Sequence, residues 1–473
     1  MNLPGKLAEL VGADAVRTSA ADLAPFLTDH RGLYHGRAAA VVLPRTTEQV
    51  ARLLAWCQAE RVPVVPQGGN TGYCGGATPD ASGNAVVLAM QRMDRIRSVD
   101  AANFAMVAEA GCTLARVQEA ALAAERLFPL SLGSEGSCQI GGNLATNAGG
   151  TAVLRYGTTR DLVMGIEAVL ADGSVISQLA PLRKDNTGYD LRQLLIGSEG
   201  TLGIITAACL KLFPSPRERA TAWLATPSPA AALKLLARLR KASGDALTTL
   251  ELVPHVALEL VLKHVPAARD PGLAASPWYL LVELSTSGRL DIAGALEQAL
   301  SEAASDGEVT DATLAANRAQ RDDLWRLRES VPEAQRRAGG SIKHDISVPV
   351  AALPDFIRQG QEICTRLAPE GYLIAYGHAG DGNLHFNLNQ REGTSRDDFF
   401  RREPSLRRAV HDLVAQFGGS FSAEHGIGQL KVEEMRRYTQ PAELAAMQRI
   451  KQALDPNGIL NPGKVLQSQG YDQ

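Results

Sequence analysis

The sequence has no dominant charge, no cysteine pairing pattern and no long apolar run, and each shortage excludes a class of protein. Its 48 basic and 51 acidic residues leave a net charge of −3 over 473 residues. No global field therefore draws the chain to nucleic acid, and its ligands are expected to be small. The six cysteines, Cys57, Cys74, Cys112, Cys138, Cys209 and Cys364, are dispersed without a C-x-x-C spacing. That argues against a disulfide framework and a zinc ribbon, and for a reducing, intracellular setting. The start, MNLPGKLAELVGADAVRTSAADLAPF, lacks the basic head and apolar core of a secretory signal, and no stretch reaches the ~18 apolar residues of a membrane span. A cytoplasmic location with no transmembrane segment is expected. The first glycine-rich loop, 67–76, is neither GxGxxG nor a P-loop, so a Rossmann or Walker assignment there is excluded. No internal repeat or low-complexity tract is evident.

With 45% apolar and 21% charged residues, the composition is that of an ordinary globular protein, and the length implies two or three domains. The pattern alternates helix and strand from the start. Thr46-Thr47-Glu48 opens an amphipathic helix through Glu60, and 61–66 reads as a short strand. It runs into the loop Gln67-Gly68-Gly69-Asn70-Thr71-Gly72-Tyr73-Cys74-Gly75-Gly76. Successive small residues can turn backbone N–H groups inward as a nest for an anion such as a pyrophosphate. For that stretch alone a flexible surface loop is the alternative to an anion nest, and the less favoured one.

A second glycine-rich stretch strengthens the first. After a strand near 104–109 and a helix from Thr113 to about Leu127 comes Gly133-Ser134-Glu135-Gly136-Ser137-Cys138-Gln139-Ile140-Gly141-Gly142-Asn143-Leu144-Ala145-Thr146-Asn147-Ala148-Gly149-Gly150. Its Ser, Asn and Thr residues can bond ribityl hydroxyls or phosphates while glycine lets the backbone approach. Strands at 166–170 and 174–176 flank the turn Ala171-Asp172-Gly173, and Gly197–Gly203 is a glycine turn feeding a β-branched strand. Pro214-Ser215-Pro216-Arg217 then marks a boundary, beyond which glycine is sparser. Apolar periodicity places helices at 230–241, 292–305, 318–337 and near 354–367, a strand at 278–284, and a last helix at 442–454 closed by Asp455-Pro456-Asn457-Gly458.

The chemistry concentrates late in the chain, where four of the nine histidines fall between 378 and 425. In His378-Ala379-Gly380-Asp381-Gly382-Asn383-Leu384-His385, Asp-Gly signals a two-residue hairpin loop. That register pairs Gly380 with Asn383, Ala379 with Leu384 and His378 with His385. Opposed side chains have Cβ atoms about 4.5–5.5 Å apart, close enough for both imidazoles to share one divalent metal. Glu424, in Ala423-Glu424-His425-Gly426-Ile427-Gly428, is the best candidate for a third ligand, which leaves a position open for substrate. A lone histidine is more often a surface or satisfied core residue; here it is the clustering that points to a site.

These stretches, with RYGTTRDLVMGIEAVLADGSVI, RKDNTGYDLRQLLIGSEGTLGIIT, GHAGDGNLHFN, AEHGIG and LDPNGILNPGKV, resemble the vanillyl-alcohol-oxidase type of FAD flavoproteins. Within it they are most similar to the D-2-hydroxyglutarate and D-lactate dehydrogenase group, over about residues 37–465. The resemblance implies an α+β fold: a two-lobed FAD-binding domain over 1–216 with its core at 37–214, and a substrate-binding domain over 217–420 on an antiparallel sheet covered by helices. A C-terminal segment, 421–473, would return to the flavin.

For the cofactor it implies contacts from Gly68, Gly69, Asn70, Thr71, Gly72, Gly133, Ser137, Gly141, Gly142, Asn143, Thr146, Asn147, Gly149, Gly150, Tyr156, Gly157, Gly203, Ile205 and Asn461. Non-covalent FAD is expected because neither loop contains a histidine, the usual attachment residue, although Cys74 offers another. The resemblance further implies that His378, His385 and Glu424 bind a divalent metal, zinc, and that His425 faces the substrate hydroxyl as base. Arg328 and Lys343 would hold the substrate carboxylates, with Asn387 also in contact. Where the group carries a hydroxyl residue four positions after that arginine, this chain has Pro332, which donates no hydrogen bond.

The implied reaction is FAD- and metal-dependent oxidation of a D-2-hydroxy acid, first D-2-hydroxyglutarate, with hydride transfer to flavin N5. D-lactate, D-malate or glycolate is the nearest alternative. A non-redox flavin transferase of the alkylglycerone-phosphate-synthase type, or a flavin-binding protein without activity, stands further off. The expected partners are a 2-hydroxy-dicarboxylic acid and an electron acceptor such as an electron-transfer flavoprotein or a quinone, with a homodimer as the assembly.

Overall fold

A computed structural model of the chain describes residues 3–467; Met1, Asn2 and 468–473, the end of the segment expected over 421–473, lie outside the described residues. The chain divides into two compact units, one of residues 1–150, 157–215 and 424–473 and the other of 151–156 and 216–423.

The first unit carries two principal sheets. One is four-stranded, in the order Val16–Arg17, Ala40–Val42, Val86–Ala89, Val64–Gln67, with its last three strands parallel. The helix Thr47–Glu60 starts where Thr46 accepts from the Gln49 N–H, and buries Val50, Leu53, Leu54 and Cys57 against this sheet. The second sheet is antiparallel, in the order Ile96–Asp100, Ala105–Glu109, Ile204–Lys211, Val163–Val169, Val175–Gln178. Gly173 turns Val169 into Val175 with φ +85°, a conformation that favours glycine. The helix expected to reach Leu127 stops at Ala123, because Glu125 turns left-handed at φ +57° and Arg126–Leu127 pairs with Phe213–Pro214. Ile459 and Leu460 belong to the same core as Val64 and Val86, which ties the C-terminal stretch into this unit.

The second unit is built on an eight-stranded antiparallel sheet. Its order is Asp311–Leu314, Glu218–Thr226, Trp278–Thr286, Leu247–Pro254, Gly371–His378, Asn383–Gln390, Ser341–Ile342, with Asp345–Ser347 also pairing Asn383–Gln390. Both faces are apolar, so alternate residues enter different cores. Ala222, Leu224, Val282 and Ala375 pack beneath the helices Pro229–Ser243, Ile292–Ser305, Leu353–Leu367 and Glu403–Gln416. Trp223, Val253, Leu281 and Tyr376 pack beneath His255–His264, Arg318–Glu329 and Val331–Ala338.

The single helix expected over 318–337 is two helices, Arg318–Glu329 and Val331–Ala338. Pro332 explains the break: it has no N–H and its ring excludes the carbonyl four residues back, that of Arg328. The first of these helices is strongly polar yet docks on the sheet through two arginines seven residues apart, two turns on one face. Arg321 Nε lies 2.7 Å from Glu283, and Arg328 Nε lies 2.7 Å from Glu251. Both acids sit on adjacent strands and are 1% exposed, so each requires its partner. Among the described residues, no helix is long and apolar enough to cross a membrane.

Candidate active site

In the first unit the two glycine-rich stretches wall one cavity. Gly68, Gly69, Asn70, Thr71, Gly72, Gly141, Gly142, Asn143, Thr146, Gly203 and Ile205 line it, and so do Cys74, Met90, Gln139, Glu199 and His425. The glycines are there because the backbones meet: a Cβ on Gly69 would stand 1.9 Å from the carbonyl oxygen of Ser137. Gln67 closes the first loop, its amide donating to Phe26 O and Ala77 O at 3.0 and 2.9 Å. Asn70, at φ +53°, is tied to Thr28 O at 2.8 Å.

The remaining residues implied for the cofactor lie outside this lining. Gly133 and Ser137 are exposed, and Asn147 accepts from the Arg160 N–H. Gly157 leaves room for Asp161, and Tyr156 belongs to the other unit. Buried Asn461 donates to Gly76 O and Glu199 O at 3.0 and 2.8 Å, which makes it a brace for the cavity wall.

Glu424 and His425 sit in a loop of the first unit that is tightly specified. Glu424 Oε1 accepts from the Gly150 N–H at 2.7 Å, and a Cβ on Gly149 would come within 2.5 Å of that oxygen. The His425 ring packs on Tyr73, centroids 4.7 Å apart. Glu199, 8% exposed and itself at φ +51°, accepts from the Ile427 and Gly428 N–H groups at 2.6 and 2.8 Å. Burial pushes its carboxyl above the usual range, against the pull of those two bonds and of Lys431. The sequence offered one signal for Glu199, an acid between two glycines in a loop, and composition alone does not separate it from a surface turn.

In the second unit the register of the histidine hairpin differs from the expected one by two residues. Tyr376, not His378, is opposite His385, and 379–382 form a four-residue turn. The His378 carbonyl accepts from both the Asp381 and the Gly382 N–H, at 3.2 and 3.1 Å, so the turn begins at His378 itself. Because a strand repeats every two residues, the shift leaves both imidazoles on one side, as diagonal neighbours with ring centroids 5.7 Å apart. Metal–nitrogen bonds of about 2.0–2.1 Å at tetrahedral angles place ligating rings on the order of 5 Å apart. The pair therefore fits a shared ion.

Behind His378 stands Glu251, its register partner on the neighbouring strand, with Oε1 at 2.5 Å from Nδ1. The other oxygen receives Arg328 Nε at 2.7 Å, and the Arg328 guanidinium lies over the Tyr376 ring at 4.8 Å. Burial alone would raise the Glu251 pKa, but the charges and hydrogen bonds of Arg328 and His378 outweigh it and hold the carboxyl at about 2. Arg328 is thus not a solvated helix residue; it is 6% exposed and reaches the neighbouring strand. Asn387 is buried, donates to Gln335 Oε1 at 3.1 Å and accepts from the His344 N–H at 3.2 Å. Lys343 is half-buried between the two short strands Ser341–Ile342 and Asp345–Ser347. Glu251 and Gln335 carried no signal in the sequence, since each lies in an unremarkable strand or helix more than 50 residues from its partner.

Two family descriptions match the chain: "FAD binding domain" over 38–178 and "FAD linked oxidases, C-terminal domain" over 215–465. The chain is 37% identical over 439 residues to the mitochondrial D-2-hydroxyglutarate dehydrogenase of Arabidopsis thaliana, covering 93% of this chain and 77% of the relative. It is 39% identical over 460 residues to that of Bos taurus, covering 97% and 82%. Among solved structures, p-cresol methylhydroxylase with substrate bound superposes with a TM-score of 0.77 at 17% identity, over 98% of this chain and 96% of the other, a likeness of fold.

Proposed function

The chain belongs to the D-2-hydroxyglutarate dehydrogenase family of FAD-linked oxidases, and on that premise we propose that it oxidises D-2-hydroxyglutarate to 2-oxoglutarate with the help of a divalent metal. The observation that supports the metal best is His378, whose Nδ1 is tied to a buried carboxylate while its ring neighbours His385. Ligating histidines almost always have their second nitrogen bonded in this way. Glu424 is the third ligand in this proposal. In the second unit the residue before it, Ala423, bonds through its N–H to Asp345 O, and Asp345 is the register partner of His385.

When bound, FAD would supply the hydride acceptor, and a divalent ion such as zinc, held by His378, His385 and Glu424, would lower the pKa of the 2-hydroxyl. The protein's own part is positioning and proton transfer. His425, on the cavity lining, takes the hydroxyl proton, for which an imidazole with a reference pKa of about 6.5 is suited. Arg328 and Lys343 hold the carboxylates, and Asn387, fixed at both ends of its amide, contributes a directed hydrogen bond. Electrons leave for an electron-transfer flavoprotein or a quinone. The six dispersed cysteines, with no disulfide among the described residues, suit a reducing cytoplasmic setting.

Anaerobic mixing of the FAD-loaded protein with D-2-hydroxyglutarate should bleach the flavin. A transferase using the same cofactor would show no net reduction. A higher kcat/KM for D-lactate or glycolate would replace the diacid by a monoacid. Replacing His378, His385 or Glu424 by Ala should remove metal and activity together while FAD stays, and full activity in metal-stripped protein would end the metal proposal.

A further inference from the structure

Five side chains of the second unit close a ring of contacts. Glu251 meets His378 at 2.5 Å and Arg328 at 2.7 Å. The His378 ring lies 5.7 Å from that of His385, which lies 4.9 Å from Tyr376, and Tyr376 lies 4.8 Å beneath the Arg328 guanidinium. Three strands and one helix supply the members, so the ring exists only when the sheet and the helix Arg318–Glu329 are both in place.

We propose that Glu251 is the positioning residue of this site: one carboxylate fixes the proton of His378 on Nδ1 and, with its other oxygen, the place of Arg328. The proposal rests on the metal reading above and extends it to a residue behind the ligands. An ionised carboxylate only accepts, so a bond at Nδ1 requires the hydrogen there and leaves the Nε2 lone pair for a metal. The backbone register brings the two side chains together, since Glu251 and His378 are direct partners across the strands. A plain structural ion pair would need only the arginine. The comparison is in the same sheet: Glu283 is equally buried and is satisfied by Arg219, Arg321, Trp325 and Thr221, without a histidine. Glu251 differs in dividing its oxygens between a candidate ligand and the cation proposed for the substrate.

The test uses FAD-loaded protein stripped of metal and titrated with Zn²⁺ against a chromophoric chelator. Glu251→Gln should weaken Zn²⁺ binding 10–100-fold, the usual effect of losing such a partner, because its amide must turn N–H donors towards either His378 or Arg328. Glu283→Gln should lower stability and leave Zn²⁺ affinity within twofold of the parent. If Glu251→Gln does not fold, Glu251→Asp is measured instead; it keeps the charge for Arg328 but is one methylene short of His378, and the same loss is expected. Parent protein that binds Zn²⁺ with Glu251 variants of equal affinity overturns the positioning role alone. Equal losses in the Glu251 and Glu283 variants overturn it too, as a general effect of stability. Parent protein that binds no Zn²⁺ removes the metal reading itself.

Discussion

Replacing Glu199 by alanine tests how the His425 loop is held. The carboxylate accepts two backbone N–H groups, Ile427 at 2.6 Å and Gly428 at 2.8 Å, from a position 8% exposed. Each buried donor left without an acceptor costs about 1–3 kcal/mol, so the pair amounts to about 2–6 kcal/mol. Glu199 lines a cavity, through which water can reach the freed amides, and that places the loss towards the lower end. Glu199 also sits at φ +51°, a conformation that costs an L-residue about 1–2 kcal/mol and glycine almost nothing. Glu199→Gly should therefore be less damaging than Glu199→Ala by about 1 kcal/mol, although it removes the same side chain. Urea unfolding followed by flavin release gives the stabilities, and fluorescence quenching gives the FAD affinity. Because His425 precedes the freed amides, both variants should also lose turnover. An alanine variant within about 0.5 kcal/mol of the parent, well short of the cost of one orphaned donor, or a glycine variant less stable than the alanine one, refutes the clamp.

Denaturing the holoprotein with acid should release all the yellow colour into the supernatant, as expected of non-covalent FAD; colour on the pellet would point to Cys74 or His425, both on the cavity lining. Arg328→Lys keeps a cation beside Glu251 but loses the planar fork, so KM for D-2-hydroxyglutarate should rise by roughly tenfold, with a smaller change for D-lactate. Equal changes would mean that the far carboxylate does not meet Arg328. Burial would raise the Glu283 pKa, but Arg321, Arg219 and Trp325 pull it below the ordinary range. A depressed carboxyl stabilises above its unfolded pKa of about 4.3 and loses that contribution as pH falls through the lower folded value. The stability gap between parent and Glu283→Gln should accordingly be constant near neutrality and narrow below about pH 4. Burial pushes the Cys57 and Cys364 thiols up to about 12 and those of Cys112 and Cys209 to about 11. A thiol reagent at pH 8 should leave these four unlabelled until the protein is denatured.

Local chemistry was legible in the chain itself. Thr46 and Thr113 cap helices where the sequence placed their starts, the Asp172-Gly173 turn joins the strands around it, and the helix Ile292–Ser305 has the bounds that its periodicity indicated. Such features rest on interactions within a few residues, which a sequence displays directly. The break at Ser330 is marked in the sequence by Pro332, although the apolar period continues across it.

Long-range partners were not legible. The hairpin register depended on which N–H groups reached the His378 carbonyl, and the two-residue shift kept both histidines on one side only because a strand repeats every two residues. The sequence by itself determined the glycine loops, the histidine cluster and the order of helices and strands, because backbone freedom, side-chain chemistry and periodicity are properties of neighbouring residues. Only the tertiary structure decided that Glu251, 77 and 127 residues from its partners, joins Arg328 to His378. A buried carboxylate is tolerated only where folding brings cations to it, and no local pattern records where they come from.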